Sequence, residues 1–218
     1  MLKLIHTIFQ KILQTAFPNS CIGCGEKNKL LCPVCLEKTA ESKKAGVLPP
    51  PFIDEMIICG NYDNQVLRKA VRLLKYHGIY LMAEPLSELL DREIRPKLRL
   101  FENTFLIPIP LHESKRISRG YNQSELLAKS FSEKIELHLL ADVLTKSKPT
   151  PSQISLTKKE RTENIKNSFS VINPEKISGK TIILIDDIMT TGATISEAAK
   201  TLKNSGAKKV IGLVVARG

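Results

Sequence analysis

Tryptophan is absent from this 218-residue sequence, and aromatic residues make up only 5% of it. Proteins that hold single strands of nucleic acid without sequence preference use aromatic side chains as stacking platforms. Nucleic-acid binding by this chain is therefore expected to be largely electrostatic and to fall steeply with salt. No apolar stretch reaches the length of a transmembrane helix. Met1 to Phe17 is apolar, but Lys11 interrupts it and no small-residue cleavage site follows, which argues against a signal peptide. Cysteine is scarce, with five in all and four of them in one compact cluster. That pattern excludes a secreted disulfide framework and points to a metal site in a reducing, cytoplasmic setting.

What is present describes a soluble globular protein, with 42% apolar and 25% charged residues. The length suits one α/β domain of usual size with a small appendage. Lys and Arg number 33 against 22 Asp and Glu, a formal net charge of +11. Such a balance attracts polyanions and steers anionic substrates without deciding between them.

The most informative stretch is Thr181 to Thr194, TIILIDDIMTTGAT. A fully apolar strand of this kind belongs in a parallel sheet covered on both faces, where ligands bind at the carboxyl ends of the strands. Asp186 and Asp187 are expected at that end. The residues after them, Thr190, Thr191, Gly192, Ala193 and Thr194, open a helix and read as a phosphate cradle. Gly192 permits close backbone approach, the threonine hydroxyls donate, and the free N–H groups and dipole of the helix favour an anion. Two carboxylates beside a phosphate would repel it unless a sugar lies between, so the ligand implied is a ribose 5-phosphate. Its 2- and 3-hydroxyls would donate to Asp186 and Asp187. Neither the Gly-Lys-Ser/Thr of a P-loop nor a G-x-G-x-x-G dinucleotide turn is present here. Strand, acidic pair and Thr-Gly-x-Thr resemble the signature of type I phosphoribosyltransferases, which bind 5-phosphoribosyl 1-pyrophosphate (PRPP) with magnesium. That superfamily also contains regulators without turnover.

Along the chain, apolar residues from Ile5 to Ala16 recur at helical spacing, giving an amphipathic helix Leu2 to Phe17 stopped by Pro18. With only Lys3 and Lys11 as cations, it is expected to pack on its own protein or a partner rather than on a membrane. Cys21-x-x-Cys24 and Cys32-x-x-Cys35 form two knuckles that place four thiolates for structural zinc, with Gly23 and Gly25 permitting tight turns. Disulfides and unligated thiols fit the paired spacing less well. Residues 1–45 thus read as helix plus zinc finger, and residues 52–218 as the main domain after a Pro-rich linker.

In that domain, Glu55 to Tyr62 reads as a strand, Gln65 to Tyr76 and Ile79 to Leu90 as helices, and Phe105 to Ile109 as a buried strand. Arg68, Lys69, Arg72 and Lys75 form a basic row expected to be solvated. Leu111 to Gln123, LHESKRISRGYNQ, reads as a loop holding pyrophosphate, with fork donors from Arg116 and Arg119 and close approach at Gly120. His112 is either a proton donor there or a hydrogen-bonding loop residue. Ser124 to Ile135 is the next helix and Ala141 to Thr145 a short strand. The polar stretch Lys146 to Asn167 is then a mobile lid or a basic surface loop. Arg161 and Asn164, three apart, share a helical face that would close over pyrophosphate. A helix Ala193 to Ser205 and a last strand Lys209 to Ala216 complete the domain.

Taken together, these features resemble the ComF family across nearly the whole chain. The resemblance is carried by the double knuckle, Leu74-Lys-Tyr76, Pro108-Ile-Pro-Leu-His112, Arg119-Gly-Tyr-Asn122-Gln123, Gln153 with Leu156, Arg161, Asn164 and Phe169, and the Asp-Asp-Ile-Met-Thr-Thr-Gly-Ala-Thr loop. Tyr121 stands where Phe is usual, and Asn167 near a common Gly. The resemblance implies a type I phosphoribosyltransferase fold, a central, mostly parallel sheet flanked by helices, and a PRPP site with Mg2+ and no well-established acceptor. It also implies a cytoplasmic factor of natural transformation, meeting single-stranded DNA beside a DNA helicase or translocase at the inner-membrane uptake complex. Three functional readings follow: a phosphoribosyl-transferring enzyme, a DNA-binding module with a relic or sensing pocket, and nucleobase salvage. Salvage needs a stacking aromatic near the last strand, which Val210 to Gly218 does not offer.

Overall fold

The computed structural model describes residues 20–40, 48–100, 103–148 and 163–218. The expected helix Leu2 to Phe17 and Arg161 lie outside them. Helix α1 (Pro33–Ala40) follows the cysteine knuckles, and then come strand β1 (Glu55–Asn61) and helices α2 (Gln65–Tyr76) and α3 (Ala83–Ile94). Strand β2 (Thr104–Pro108) leads into α4 (Glu113–Arg119), α5 (Gln123–Ile135) and the short β3 (His138–Leu139). Strands β4 (Leu144–Lys146) and β5 (Phe169–Val171) precede β6 (Thr181–Met189), α6 (Ala193–Asn204) and β7 (Lys209–Arg217).

Five strands form one sheet in the order β1-β7-β6-β2-β3, and every pairing in it is parallel. The apolar run of β6 follows from this position. Successive side chains of a strand face opposite ways, so Ile183 and Ile185 enter the core shared with α2, α3 and α5, while Ile182 and Leu184 enter the core shared with α6. All four are fully buried, and each contributes on the order of 1.5–3 kcal/mol of apolar transfer.

From β2 the chain proceeds through α5, on one face, to β3 at the edge. From β6 it proceeds through α6, on the other face, to β7. The connections leave adjacent strands β2 and β6 in opposite directions, which opens a crevice at their carboxyl ends.

Four local expectations are corrected. Asp186 and Asp187 lie inside β6, not after it, because pairing with β7 continues to Met189↔Arg217. The segment Leu111 to Gln123 is not an open loop. His112 caps α4 by accepting from the Ser114 N–H at 3.2 Å, and Gly120, at φ +83°, ends it in the left-handed region where glycine is favoured. The expected helix from Ile79 begins as a 3-10 turn, Tyr80–Met82, and its α-helical part runs from Ala83 to Ile94. Pro85 confines the α-helical start, since proline fits only the first turn. The strand near Ala141 to Thr145 is β4, which pairs antiparallel with β5 outside the main sheet.

The cysteine segment sits on the main sheet rather than apart from it. Cys21, Leu31, Cys32, Cys35 and Leu36 are buried in the same core as Ile57, Cys59 and Leu67. Close approach is required there, since a Cβ on Gly60 would stand 2.5 Å from Leu67 Cδ2 and 3.0 Å from the Thr39 carbonyl oxygen.

Candidate functional site

The carboxyl end of β6 and the turn after it bring Asp186 together with the expected phosphate cradle. Asp186, Thr190, Thr191, Gly192, Ala193 and Thr194 line one small open concavity together with Val214. Helices α2, α4 and α5 each begin with a side-chain cap, from Asn64, His112 and Asn122. Helix α6 has none; its N-cap is Gly192 at φ +79°. Within this turn, Thr191 Oγ1 accepts from the Ala193 N–H at 3.3 Å. An uncapped helix N-terminus in a concavity is built to receive an anion.

The two carboxylates differ in their surroundings. Asp186 Oδ1 accepts from Ser124 Oγ at 2.8 Å and from the Asp187 N–H at 2.9 Å. Asp187 is buried and paired with Lys75, whose Nζ lies 2.8 Å from Oδ2 and donates to Oδ1 at 3.2 Å. Burial, and then the Asp187 charge, push Asp186 up to about 7. Burial also opposes the charge of Asp187, but Lys75 outweighs it and holds that carboxyl below its ordinary value. Burial likewise opposes the charge of Lys75, and the two carboxylates more than offset it.

Further cations surround this pair. Burial and the charges of Arg119 and Lys75 lower Lys115. Burial and Lys115 bring Lys146 down to about 8, against the pull of Asp186. Lys75, Lys115 and Lys146, one each from α2, α4 and β4, were not singled out as site residues from the sequence. The sequence alone sets Lys75 in a solvated row; its position at the edge of the buried face of α2 is the signal that separates it from Arg68, Lys69 and Arg72. Lys115 lies four residues before Arg119, hence on the same side of α4.

Of the residues expected to hold pyrophosphate, Arg119 is half-buried, donates to Gln123 Oε1 and lies 5.6 Å over the ring of Tyr76. Gln123 and Asn122 are buried; Asn122 Nδ2 donates to the Ile109 carbonyl at 3.1 Å and so ties α5 to the end of β2. Arg116 and Asn164 are exposed. Asn167 adopts φ +52°, and its N–H donates to Glu197 Oε1 of α6 at 2.9 Å. A left-handed backbone explains why glycine suits that neighbourhood and why asparagine substitutes for it.

The second cluster is formed by Cys21, Cys24, Cys32 and Cys35, whose sulfurs all lie within 4.8 Å of one another. All five cysteines are free thiols, and the 3.6 Å between the sulfurs of Cys24 and Cys32 is far too long for a disulfide. It is close to the separation of about 3.8 Å that tetrahedral zinc with Zn–S bonds of about 2.3 Å imposes. Burial disfavours ionisation of Cys21, yet N–H groups aimed at its sulfur bring it down to about 6, while burial and the neighbouring sulfurs push Cys35 up to about 12. Four thiols that cannot ionise together until a cation joins them fit a zinc site. Gly25 adopts φ +81°, as a tight turn requires. Gly23 serves differently, since a Cβ there would lie 2.7 Å from Cys35 Sγ.

Comparison with known proteins agrees with this geometry. Residues 121–218 match the model of the phosphoribosyl transferase domain family. Competence protein F of Haemophilus influenzae is 28% identical over 199 residues, which span 87% of this chain and 86% of that protein. Competence protein ComFC of Streptococcus pneumoniae is 29% identical over 148 residues, 67% of this chain and 61% of that protein. The chain is thus similar to competence proteins over much of its length, with a phosphoribosyl transferase domain match at residues 121–218. DNA utilization protein YhgH of Escherichia coli is 29% identical over 197 residues, 87% of this chain and 85% of that protein. In this chain the parallel sheet and its flanking helices are the type I phosphoribosyltransferase fold, with the cysteine cluster at the amino-terminal side. No helix among the described residues is long and apolar enough to cross a membrane.

Proposed function

We propose that this protein binds PRPP, taken as its magnesium complex, at the carboxyl end of β6, and that it acts in DNA uptake by contacting single-stranded DNA. The observation that carries the first part is the union of an uncapped α6 N-terminus with two carboxylates of different protonation. The 5-phosphate sits on the Thr190 to Thr194 turn. The ribose hydroxyls donate to Asp186 and Asp187, each a multiple acceptor that its present partners do not saturate. Magnesium supplies charge neutralisation to the pyrophosphate. Arg119, Lys115 and Lys146 face the same region, and in this reading Arg116, Arg161 and Asn164 would add contacts to the pyrophosphate once it is bound. His112 stays a cap, holding α4 so that Lys115 and Arg119 point inward.

In a transfer reaction the C1–O bond to pyrophosphate breaks, and an acceptor nitrogen or oxygen forms the new bond to C1 and gives up a proton. Positive charge grows on the ribose ring between the carboxylates, while negative charge grows on pyrophosphate among the cations. Catalysis in this reading is positioning and electrostatics. Calorimetric titration with PRPP and magnesium is expected to give one site per chain, lost in Asp186→Asn. Wild-type protein that gives no heat and no competition by pyrophosphate removes the reading.

The DNA part is supported by the +11 net charge and by the names of the relatives, competence and DNA utilization proteins. The zinc cluster is structural in this account, and a helicase or translocase at the inner face of the membrane is the expected partner. An oligonucleotide affinity that does not change between low and high salt would contradict the DNA part.

A further inference from the structure

The basic row of α2 does not dissolve into a uniformly solvated surface. Leu67, Ala70, Val71 and Leu74 bury one side of the helix, which leaves Gln65, Arg68, Lys69, Arg72 and Tyr76 together on the opposite side. Gln65, Arg68, Lys69, Arg72, Leu73 and His77 line one open concavity. Arg68, Lys69 and Arg72 have no ion pair among the described residues, and no acid lines the hollow they share. A cationic hollow left without acids is an anion-binding surface.

The scarce aromatics converge at the other end of the same helix. Tyr76 is 61% exposed and Tyr80 39%, next to Leu81 at 52%. Tyr80 packs edge-on against Tyr121, ring centroids 4.6 Å apart, and Arg119 lies over Tyr76. Tyr62, within electrostatic reach of Lys75, Tyr76 and Arg72, completes the group, so all four tyrosines of the chain surround one edge of the acidic site. Exposed rings beside an unpaired cationic hollow match the two needs of a single strand, phosphate neutralisation and a face for unstacked bases.

We propose that the outer face of α2 and the Tyr80 turn form a track for a single-stranded nucleic acid. Its phosphates lie along Arg68, Lys69, Arg72 and His77, and its bases stack on Tyr76 and Tyr80 at the rim of the Asp186 site. This assigns a surface to the DNA-binding reading and rests on it. A duplex satisfies only the cationic half of the track, because its bases are already stacked.

The test is titration of the full-length protein with a labelled oligothymidylate, with a duplex of equal length and with inorganic polyphosphate, at several salt concentrations. The combined variant Arg68→Gln, Lys69→Gln, Arg72→Gln is expected to weaken single-strand binding about 10-fold or more at low salt and to flatten the salt slope by about 2. An equal change of charge at Lys129, Lys180 and Lys208 is expected to do much less. Tyr76→Ala is expected to weaken the single strand about 10-fold and the duplex hardly at all, with Tyr76→Phe restoring affinity. Because the chain lacks tryptophan, its intrinsic emission comes from tyrosine, and quenching of that emission by the oligonucleotide should shrink in Tyr76→Phe. Thermal unfolding and zinc content equal to wild type establish that each variant is folded. Variants that bind like wild type, or a Tyr76→Ala loss equal for single strand, duplex and polyphosphate, overturn the track and leave the DNA reading standing. A wild-type protein that binds no single strand overturns both.

Discussion

The cysteine cluster and the carboxyl edge of the sheet are both built around charge that needs a partner, but they are assembled in opposite ways. The cluster comes from one stretch, Cys21 to Cys35, and its geometry follows from two knuckles of fixed spacing. The edge is assembled from Asp186 and Asp187 on β6, Lys75 on α2, Lys115 on α4, Ser124 on α5 and Lys146 on β4. Spacing in sequence therefore gives the ligand set of the first and only a fragment of the second. The edge joins parts more than a hundred residues apart, as with Lys75 and Asp187.

Four perturbations probe this contrast, in descending size. Cys32→Ser is expected to lose zinc and to cost on the order of 4–5 kcal/mol, because the residue belongs both to the cysteine cluster that could hold zinc and to the core. Zinc content with thermal unfolding checks it, and a metal-replete, equally stable variant would detach the cluster from the fold. Lys75→Met is expected to cost about 3 kcal/mol by leaving buried Asp187 unpaired, with Lys75→Met, Asp187→Leu recovering most of the loss. Chemical denaturation of both variants measures this, and an additive double mutant would deny the pairing. Gly192→Ala is expected to cost about 1–2 kcal/mol, since φ is +79° and the new Cβ would stand 2.7 Å from Pro50 Cγ. Its PRPP affinity should fall as well, by calorimetry.

The smallest effect concerns pH. Asp186 carries a folded pKa of about 7 against an ordinary 3.8, so between those values the folded state holds more protons than the unfolded state. The stabilisation this group provides is full below about 4 and is lost as pH rises through 7. Asp187, shifted the other way by Lys75, contributes stability that is present above its unfolded value and lost in acid. From pH 6 to pH 8, wild type should therefore lose on the order of 1 kcal/mol, about 2–4 °C in Tm, relative to Asp186→Asn. Parallel Tm profiles for the two proteins would place the shared proton elsewhere.

Much of the fold was legible because its elements are strongly periodic. The run TIILI reads as a doubly covered strand and Lys209 to Ala216 as a last strand, and α2 and α6 show a clean helical stripe. The residues that escaped did so for tertiary reasons. The Leu111 to Gln123 stretch, rich in polar groups and ended by Gly120, looks like a loop until His112 is seen to cap a helix. Lys75 looks like one more member of a basic row, and only the placement of α2 against β6 turns it toward Asp187. Low aromatic content argued against stacking platforms, a reading that counts residues along the chain. The fold gathers all four tyrosines at one edge, which composition cannot reveal.

The most direct measurement is a crystal structure of the protein with PRPP and magnesium. The account predicts the 5-phosphate on the N–H groups of the Thr190 to Thr194 turn, the ribose hydroxyls on Asp186 and Asp187, and pyrophosphate toward Arg119 and Lys146. PRPP lodged instead in the hollow of Arg68 and Arg72, or an Asp186 carboxylate that makes no contact with the sugar, would contradict it.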